Sequence, residues 1–172
     1  MKHVYSLIFA LIFLVCAGTL SAQKEGNIWH FGYNQVIDFN SGTPVLGAHS
    51  EQTAFEGCAS FCDSAGILLF YTNGGLRYPM PGQTGGAIWN TAHEVMYDMH
   101  SVEGGGNSAT QSSVIFPKPG APGRYCLFTM DETEYIWLPP TPGQPFGRGL
   151  SYFEIDMTMN GGLGGVADYK EA

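Results

Sequence analysis

Histidine and neighbouring acidic residues are the side chains of this sequence that first suggest chemistry. His93 and Glu94 begin like the zinc-protease pattern His-Glu-x-x-His, but Tyr97 stands where the second histidine belongs. That chemistry needs two imidazoles on one helical face. His30, His93 and His100 offer further nitrogen ligands, yet their spacing matches no ligand pattern. We therefore predict no metal site and interpret these histidines as turn or strand-end residues.

Carboxylates and serines offer further sites, and each pattern is incomplete. Asp131, Glu132 and Glu134 follow a predicted strand but lack the alternating ligands and central glycine of a calcium loop, which favours a solvated loop. Asp38 and Asp63 could serve as glycosidase acids only at a separation of roughly 5 to 9.5 Å, which sequence does not define. No Gly-x-Ser-x-Gly elbow occurs. We predict no catalytic residue and a non-enzymatic protein.

A glycine-rich run near the end of the chain resembles a dinucleotide-binding loop only superficially. Residues 162–167 (GLGGVA) fit the loose pattern, but 5 residues follow, too few for the helix that must hold the pyrophosphate. We interpret this run as a turn and predict no cofactor.

Aromatic residues make up 13% of the chain and are the feature most open to a binding role. Trp29, Phe31 and Tyr33 alternate, so we expect most such rings to face between sheets. A different feature is a run of four consecutive apolar residues beside prolines and acids: Tyr135, Ile136, Trp137 and Leu138. Because these cannot all point inward, we predict either a partner contact or a seam to a further sheet.

The beginning of the chain is typical of a secretory signal over residues 1–22. Lys2 and His3 form a basic start, residues 4–15 an apolar run of 12, and residues 19–22 a small-residue exit. We predict cleavage after Ala22. Since spanning a bilayer takes roughly 20 apolar residues, we predict no membrane insertion after cleavage.

The charge of the chain indicates which partners it can bind, and its cysteine content indicates which disulfides it can form. The chain has 7 Lys and Arg against 15 Asp and Glu, and the basic residues are scattered, which argues against nucleic acid as a partner. Cys58, Cys62 and Cys126 remain after signal removal, an odd number that cannot form a closed disulfide framework. We favour three buried thiols; the alternative is a disulfide between Cys126 and one of the other two.

Strand patterns dominate the chain after residue 22, and the whole chain contains 24 Gly and 10 Pro, which interrupt any helical period. Alternating or apolar runs predict extended segments at residues 27–31, 36–39, 57–62, 67–72, 87–90, 94–97, 111–117, 124–129 and 150–158. Turn residues at 63–66 and 119–123 predict hairpins, and the glycine run at 104–108 predicts a surface connection between sheets. The fold class predicted is all-β and antiparallel.

Two of these hairpins resemble copies of one unit. Residues 68–72 (LLFYT) and 125–129 (YCLFT) share an apolar and aromatic body ending in threonine, and the threonines lie 57 residues apart. A period near 50 with about four strands per unit is typical of propeller blades. Residues 23–172 then hold about two to three blades, and we expect the hairpin turn at residues 160–162 to lack a full returning strand. We predict a partial β-propeller, cut before closure, at the front of a longer protein.

The order and spacing of short stretches along nearly the whole chain carry a family resemblance. They are NIWHFG (27–32), IDFNSG (37–42), EGCA (56–59), LLFYTNG (68–74), IWN (88–90) with His93, TQSS (110–113), PKPG (117–120) and GLSY (149–152). In these the chain resembles the large secreted surface proteins of gliding bacteria. Those proteins begin with a propeller-like repeat region and end in a C-terminal sorting domain.

This resemblance implies a secreted or outer-surface protein, exported by the general secretory route and then by type IX secretion, and linked to adhesion or gliding motility. It implies an adhesin or scaffold whose partners are the missing blades of the full-length protein and a polysaccharide or cell-envelope protein. It also marks Ser64, in Asp63-Ser64-Ala65, as an acceptor for O-linked sugar.

We therefore predict a non-catalytic adhesion or scaffold module that binds through propeller loops. The alternatives are a fragment of a propeller-type carbohydrate-active enzyme and a truncated product with no function of its own.

Overall fold

The computed structural model describes residues 23–76, 85–100, 102–106, 108–132 and 149–171. In these ranges the chain forms eleven β-strands in three antiparallel sheets and one short 3-10 turn, Asn160–Gly162. The all-β antiparallel prediction is confirmed there. The predicted signal at residues 1–22 and the apolar run at 135–138 lie outside the described residues. Within the described ranges, none of the helical structure has the length and apolar character that crossing a membrane requires.

Each sheet is a meander in which strands that follow one another in sequence pair with one another. The first sheet contains β1 (Ile28–Phe31), β2 (Gln35–Asp38) and β3 (Val45–Leu46). The middle sheet contains β4 (Ala59–Cys62), β5 (Leu68–Thr72), β6 (Ala87–Asn90) and β7 (Val95–Asp98). The last sheet contains β8 (Ser113–Pro117), β9 (Arg124–Met130), β10 (Leu150–Asp156) and β11 (Gly165–Glu171). The two resembling runs are therefore β5 and most of β9, the second strands of their sheets.

The predicted turn between β4 and β5 is a hairpin held by its aspartate. Oδ1 of Asp63 accepts hydrogen bonds from the backbone N–H groups of Ala65 and Ile67, both at 2.9 Å. Gly66 has a φ of 89°, a conformation that glycine adopts without a steric penalty. The predicted turn at residues 119–123 joins β8 to β9. Both hairpin predictions are confirmed.

The three sheets stack face to face in chain order. Between the first and middle sheets, Ile28 packs against buried side chains of the middle sheet: Cys62, Leu68, Tyr71, Ala87 and Trp89. Between the middle and last sheets lies a second cluster: Phe70, Ile88, Met99, Leu127, Phe153 and Ile155. Phe70 and Tyr71 serve different clusters because successive residues of a strand point to opposite faces. Burying each large apolar side chain contributes roughly 1.5 to 3 kcal/mol, so apolar burial holds both interfaces.

Each end of the stack carries apolar side chains on its outer face. Trp29, Ile37 and Leu46 are paired neighbours on the side of the first sheet that faces away from the middle sheet. Trp29 is 53% exposed and Leu46 is 83% exposed. On the outer face of the last sheet, the rings of Phe116 and Phe128 stack with their centroids 5.7 Å apart. We call these two surfaces the outer faces.

The expectation that the alternating rings near β1 lie between sheets is wrong for Trp29 and Tyr33. Their exposed fractions are 53% and 50%, whereas His30 is buried. Because side chains alternate along a strand, the inward face of β1 is occupied by Ile28 and His30. The Trp29 ring instead lies on the outer face, 5.0 Å from that of Phe39.

The final hairpin has a returning strand, which corrects the expectation of an unfinished sheet. β11 pairs with β10 from Ser151 opposite Glu171 to Asp156 opposite Gly165. The interpretation of residues 162–167 as a turn is wrong for its second half, which opens β11. Strand β11 begins at a glycine and contains three charged residues, Asp168, Lys170 and Glu171, so it lacks a clear apolar pattern. Strand β3 has 2 residues, too few to give one.

The glycine run expected as a surface connection is buried over residues 104–106. A Cβ added at Gly75 would lie 2.3 Å from the backbone oxygen of Gly105, and one added at Gly105 would lie 2.2 Å from the backbone oxygen of Met130. The missing side chains thus let the connections of the middle and last sheets approach each other. A glycine-rich sequence is typical of an exposed loop, but in this fold residues 104–106 pack between two sheet connections.

The acidic residues after β9 are also buried. Asp131 is 8% exposed and Glu132 is 2% exposed, and Oε2 of Glu132 accepts the backbone N–H of Ser108 at 3.0 Å. The prediction of a solvated loop is therefore wrong for this pair, while Glu134 lies outside the described residues.

All three cysteines in the described ranges, Cys58, Cys62 and Cys126, are free. Cys62 and Cys126 are buried and Cys58 is half-buried. The expectation of buried thiols is confirmed for Cys62 and Cys126 and holds only in part for Cys58. Burial raises the pKa of the Cys58 and Cys62 thiols, which disfavours the reactive thiolate.

Candidate functional site

Three histidines from distant parts of the chain meet where the first sheet packs against the middle sheet. His30 lies in β1, His49 in the loop after β3, and His93 in the turn between β6 and β7. The His93 ring centroid lies 6.0 Å from that of His30 and 4.9 Å from that of His49. We call these three residues the histidine cluster. His100 is not part of it; its Nδ1 lies 3.3 Å from the exposed carboxylate of Asp98.

The turn between β6 and β7 positions His93. Oδ1 of Asn90 accepts the backbone N–H groups of Ala92 and Glu94 at 2.9 and 3.0 Å. His93 has a φ of 63°, a left-handed conformation that a non-glycine residue keeps only when its surroundings hold it. Its own backbone N–H donates to the carbonyl of Asn90 at 3.0 Å. The expectation of a turn histidine is confirmed at this position.

Strand β1 holds His30 against the middle sheet. Oγ of Ser60, in β4, accepts the backbone N–H of His30 at 3.3 Å and donates to the carbonyl of Ile28 at 2.6 Å. The His30 side chain is almost fully enclosed, and its Nδ1 lies 2.9 Å from Oγ of Ser50. His30 is therefore a mid-strand residue of the sheet interface, not the turn or strand-end residue expected.

Tyr71 is the centre of a three-ring stack that crosses the interface. Its ring lies 3.9 Å from the His30 ring and 5.4 Å from the Trp89 ring, with interplanar angles of 14° and 13°. Its hydroxyl oxygen accepts the backbone N–H of Glu51 at 3.2 Å and lies 3.0 Å from Nδ1 of His93. The Tyr71 hydroxyl therefore links the loop after β3 to the turn that carries His93.

Burial keeps two members of the histidine cluster uncharged at neutral pH. Desolvation, followed by the charges of His93 and His49, lowers the pKa of His30 to about 4. Desolvation and then the charge of His49 also lower the pKa of His93, and the carboxylate of Glu51 opposes this shift. Desolvation raises the pKa of Tyr71 as well. At pH 7 these side chains therefore act as neutral hydrogen-bonding groups.

A cleft with a volume of about 230 Å³ opens beside the histidine cluster. Its polar lining is the cluster itself with Asp38 and Thr91, and its apolar lining includes Ile28, Val36 and Leu68. Pockets for drug-sized ligands usually measure about 300 to 1,000 Å³. This cleft is therefore suited to a smaller group.

The chemistry that the cluster offers is hydrogen bonding. Ser50 is 1% exposed, and its Oγ is shared between His30 and the backbone N–H of Gln52, at 2.9 and 3.2 Å. A hydroxyl enclosed in this way cannot reach a substrate as a nucleophile. Within the described ranges, no group of three or more His, Cys, Asp or Glu residues is arranged to hold a metal ion.

The other predicted site residues are dispersed. Asp38 lines the cleft, whereas the carboxylate of Asp63 is engaged in its own hairpin turn. Ser64 is exposed at that turn, and its glycosylation stays a prediction. Tyr135, Ile136, Trp137 and Leu138 lie outside the described residues.

Sequence reasoning missed His49 and the role of Tyr71. The signal available was the polar run His49-Ser50-Glu51 directly after a glycine and an alanine. Nothing in that run shows that it lies beside β1 and β5. Only the packing of the first sheet on the middle sheet brings these residues together.

No protein-family model, curated protein or solved structure matches this chain.

Proposed function

We propose that this chain is a non-catalytic adhesion or scaffold module of a larger secreted or cell-surface protein. Its three stacked sheets are the first blades of a partial β-propeller, and it binds a polysaccharide or a cell-envelope protein through the loops between strands. Residues 1–22 serve as the export signal. The family resemblance of the sequence supports this proposal together with the arrangement of the sheets.

The observation that carries the proposal is the stack of meanders. Four consecutive strands form the middle sheet, the next four form the last sheet, and each sheet packs its face on the neighbour that precedes it. The first strands also follow one another in space, since β1 lies against β4 and β4 lies against β8. Four-stranded sheets repeated in this way are typical of propeller blades, whose loops form binding surfaces.

The outer faces indicate what the module packs against. Trp29, Phe116 and the side chains that point the same way would be buried if a further sheet packed against either outer face. Val114, beside Phe116 in β8, is 54% exposed, and exposed apolar patches of this kind mark interaction sites. Further sheets of the full-length protein are therefore the partners proposed for the outer faces.

The packing role of the outer faces is tested with the double variant Trp29→Lys, Phe116→Lys. In sedimentation velocity, the secreted chain with its signal removed should associate with itself as its concentration rises, because two apolar faces are open. The double variant should associate much less. Ile67→Lys is the matched control, since Ile67 is 61% exposed but lies in the β4–β5 turn. A wild-type chain that remains monomeric at high concentration would contradict the packing role.

The binding role is tested on a glycan array and an array of cell-envelope proteins, read together with a reducing-sugar assay. We expect the secreted chain to be retained on the arrays and to release no reducing ends. Release of reducing ends would show an enzyme instead, and failure to bind either array would remove the adhesive function.

A further inference from the structure

We infer that the cleft beside the histidine cluster binds one uncharged sugar residue of a saccharide. The inference rests on the proposed adhesive function and assigns it a site. It places recognition between the first and middle sheets, with Asp38, His49, His93 and Thr91 as the polar contacts.

The size and lining of the cleft match a single sugar ring. A pyranose is compact and has a C–H face as well as hydroxyl groups around its edge. Ile28, Val36 and Leu68 form an apolar wall for the C–H face. The cleft volume of about 230 Å³ has room for one ring but not for a longer buried segment.

The polar groups of the cleft match hydroxyl groups, which both donate and accept hydrogen bonds. Neutral imidazoles can do either, and the hydroxyl of Thr91 can do the same. Oδ1 of Asp38 accepts the backbone N–H of Asn40 at 2.7 Å, which orients the carboxylate at the end of β2. A carboxylate oriented in this way can accept from two adjacent hydroxyl groups.

Two further contacts hold the polar rim in place. Nε2 of His49 lies 2.7 Å from Oε1 of Glu51, while His93 is anchored by the Tyr71 hydroxyl. Donors and acceptors fixed before binding lose little conformational entropy when the ligand arrives.

The charge around the cleft favours a neutral ligand over an anionic one. Asp38 lines the cleft, and Glu51, whose Oε1 lies 2.7 Å from Nε2 of His49, adds a second carboxylate just outside the lining. His30 and His93 bring no compensating positive charge at neutral pH, because burial lowers the pKa of each. The chain as a whole has a net charge of −8. Acidic sugars and phosphates would meet repulsion here.

The test uses a panel of neutral methyl glycosides, those of glucose, galactose, mannose and N-acetylglucosamine, added to the isotope-labelled chain. At least one should shift the backbone amide signals of Gly47, His49, Thr91 and His93. His49→Ala should bind that glycoside about tenfold more weakly, as expected for the loss of one hydrogen bond near 1.4 kcal/mol. His100→Ala is the matched control, because His100 is also an exposed histidine beside a carboxylate, and its affinity should be unchanged.

The outcomes separate this inference from the proposed function. Array binding that persists in His49→Ala, with no glycoside shifting the cleft signals, overturns the inference and leaves the adhesive function standing. A wild-type chain that binds neither the arrays nor the glycosides overturns both. Equal weakening in His49→Ala and His100→Ala also overturns the inference, because the effect is then general surface charge.

Discussion

Replacing Tyr71 with alanine should destabilise the protein by about 3 to 5 kcal/mol, the usual range for removing a buried aromatic side chain. The Tyr71 side chain is fully buried, and the rings of His30 and Trp89 both stack with it. Its removal leaves a cavity between the first and middle sheets, and both neighbouring rings lose a partner. The measurement is urea denaturation followed by tryptophan fluorescence, since Trp89 reports directly on this interface.

Two variants separate the contribution of the Tyr71 ring to stability from that of its hydroxyl and from the effect of removing any aromatic ring. Tyr71→Phe keeps the stack and removes the hydroxyl with its contacts to Glu51, His93 and Ser50, so it should destabilise by about 1 kcal/mol. Trp29→Ala removes an exposed ring and should change stability little. If Tyr71→Phe were as destabilising as Tyr71→Ala, the stack would not be what holds the interface.

Lowering the pH from 7 to 4 should weaken the fold by roughly 2 to 3 kcal/mol through His30. The pKa of His30 falls from its ordinary value of 6.5 to about 4 in the folded chain. Between these values the unfolded chain binds a proton that the folded chain does not. The stabilising contribution is therefore complete above about pH 6.5 and is lost as the pH falls towards 4. His93, whose pKa is also lowered, adds to this loss in the same direction.

The surroundings of His30 explain the pH dependence and show which histidine serves as its control. His93, His49, Ser50 and Tyr71 surround its ring, and protonation there would place a positive charge beside two other imidazoles. Urea denaturation at a series of pH values should show a flatter pH dependence for His30→Gln. His100→Gln should keep the wild-type dependence, because His100 is exposed outside the cluster. Equal pH slopes for wild type and His30→Gln would rule out this role for His30.

Local signals in the sequence were sufficient for much of the fold. The hairpin between β4 and β5 follows from Asp63 and Gly66, whose side-chain bond and positive φ act within a few residues. The strands β5, β6 and β9 follow from apolar runs bounded by breakers, and the likeness of β5 to β9 corresponds to equal positions in successive sheets. These features were predictable because each depends on residues that are neighbours in the chain.

The errors have a common physical cause, which is that burial is decided by contacts between distant segments. The glycines at residues 104–106 and the acids Asp131 and Glu132 have polar or flexible character by themselves, and only the approach of two sheet connections buries them. Trp29 is a residue type that is common in protein cores, yet the register of β1 places its side chain on the outer face of the first sheet. Strand β11 carries few apolar residues and exists because β10 offers it a partner.

The sequence alone determined that this chain forms short antiparallel strands and where its hairpin turns lie. Only the tertiary structure decided which faces are buried and that His30, His49 and His93 meet around Tyr71. The reason is the range of the interactions. Turn geometry and strand pattern are set by adjacent residues, whereas the histidine cluster requires the first sheet to pack against the middle sheet in one register.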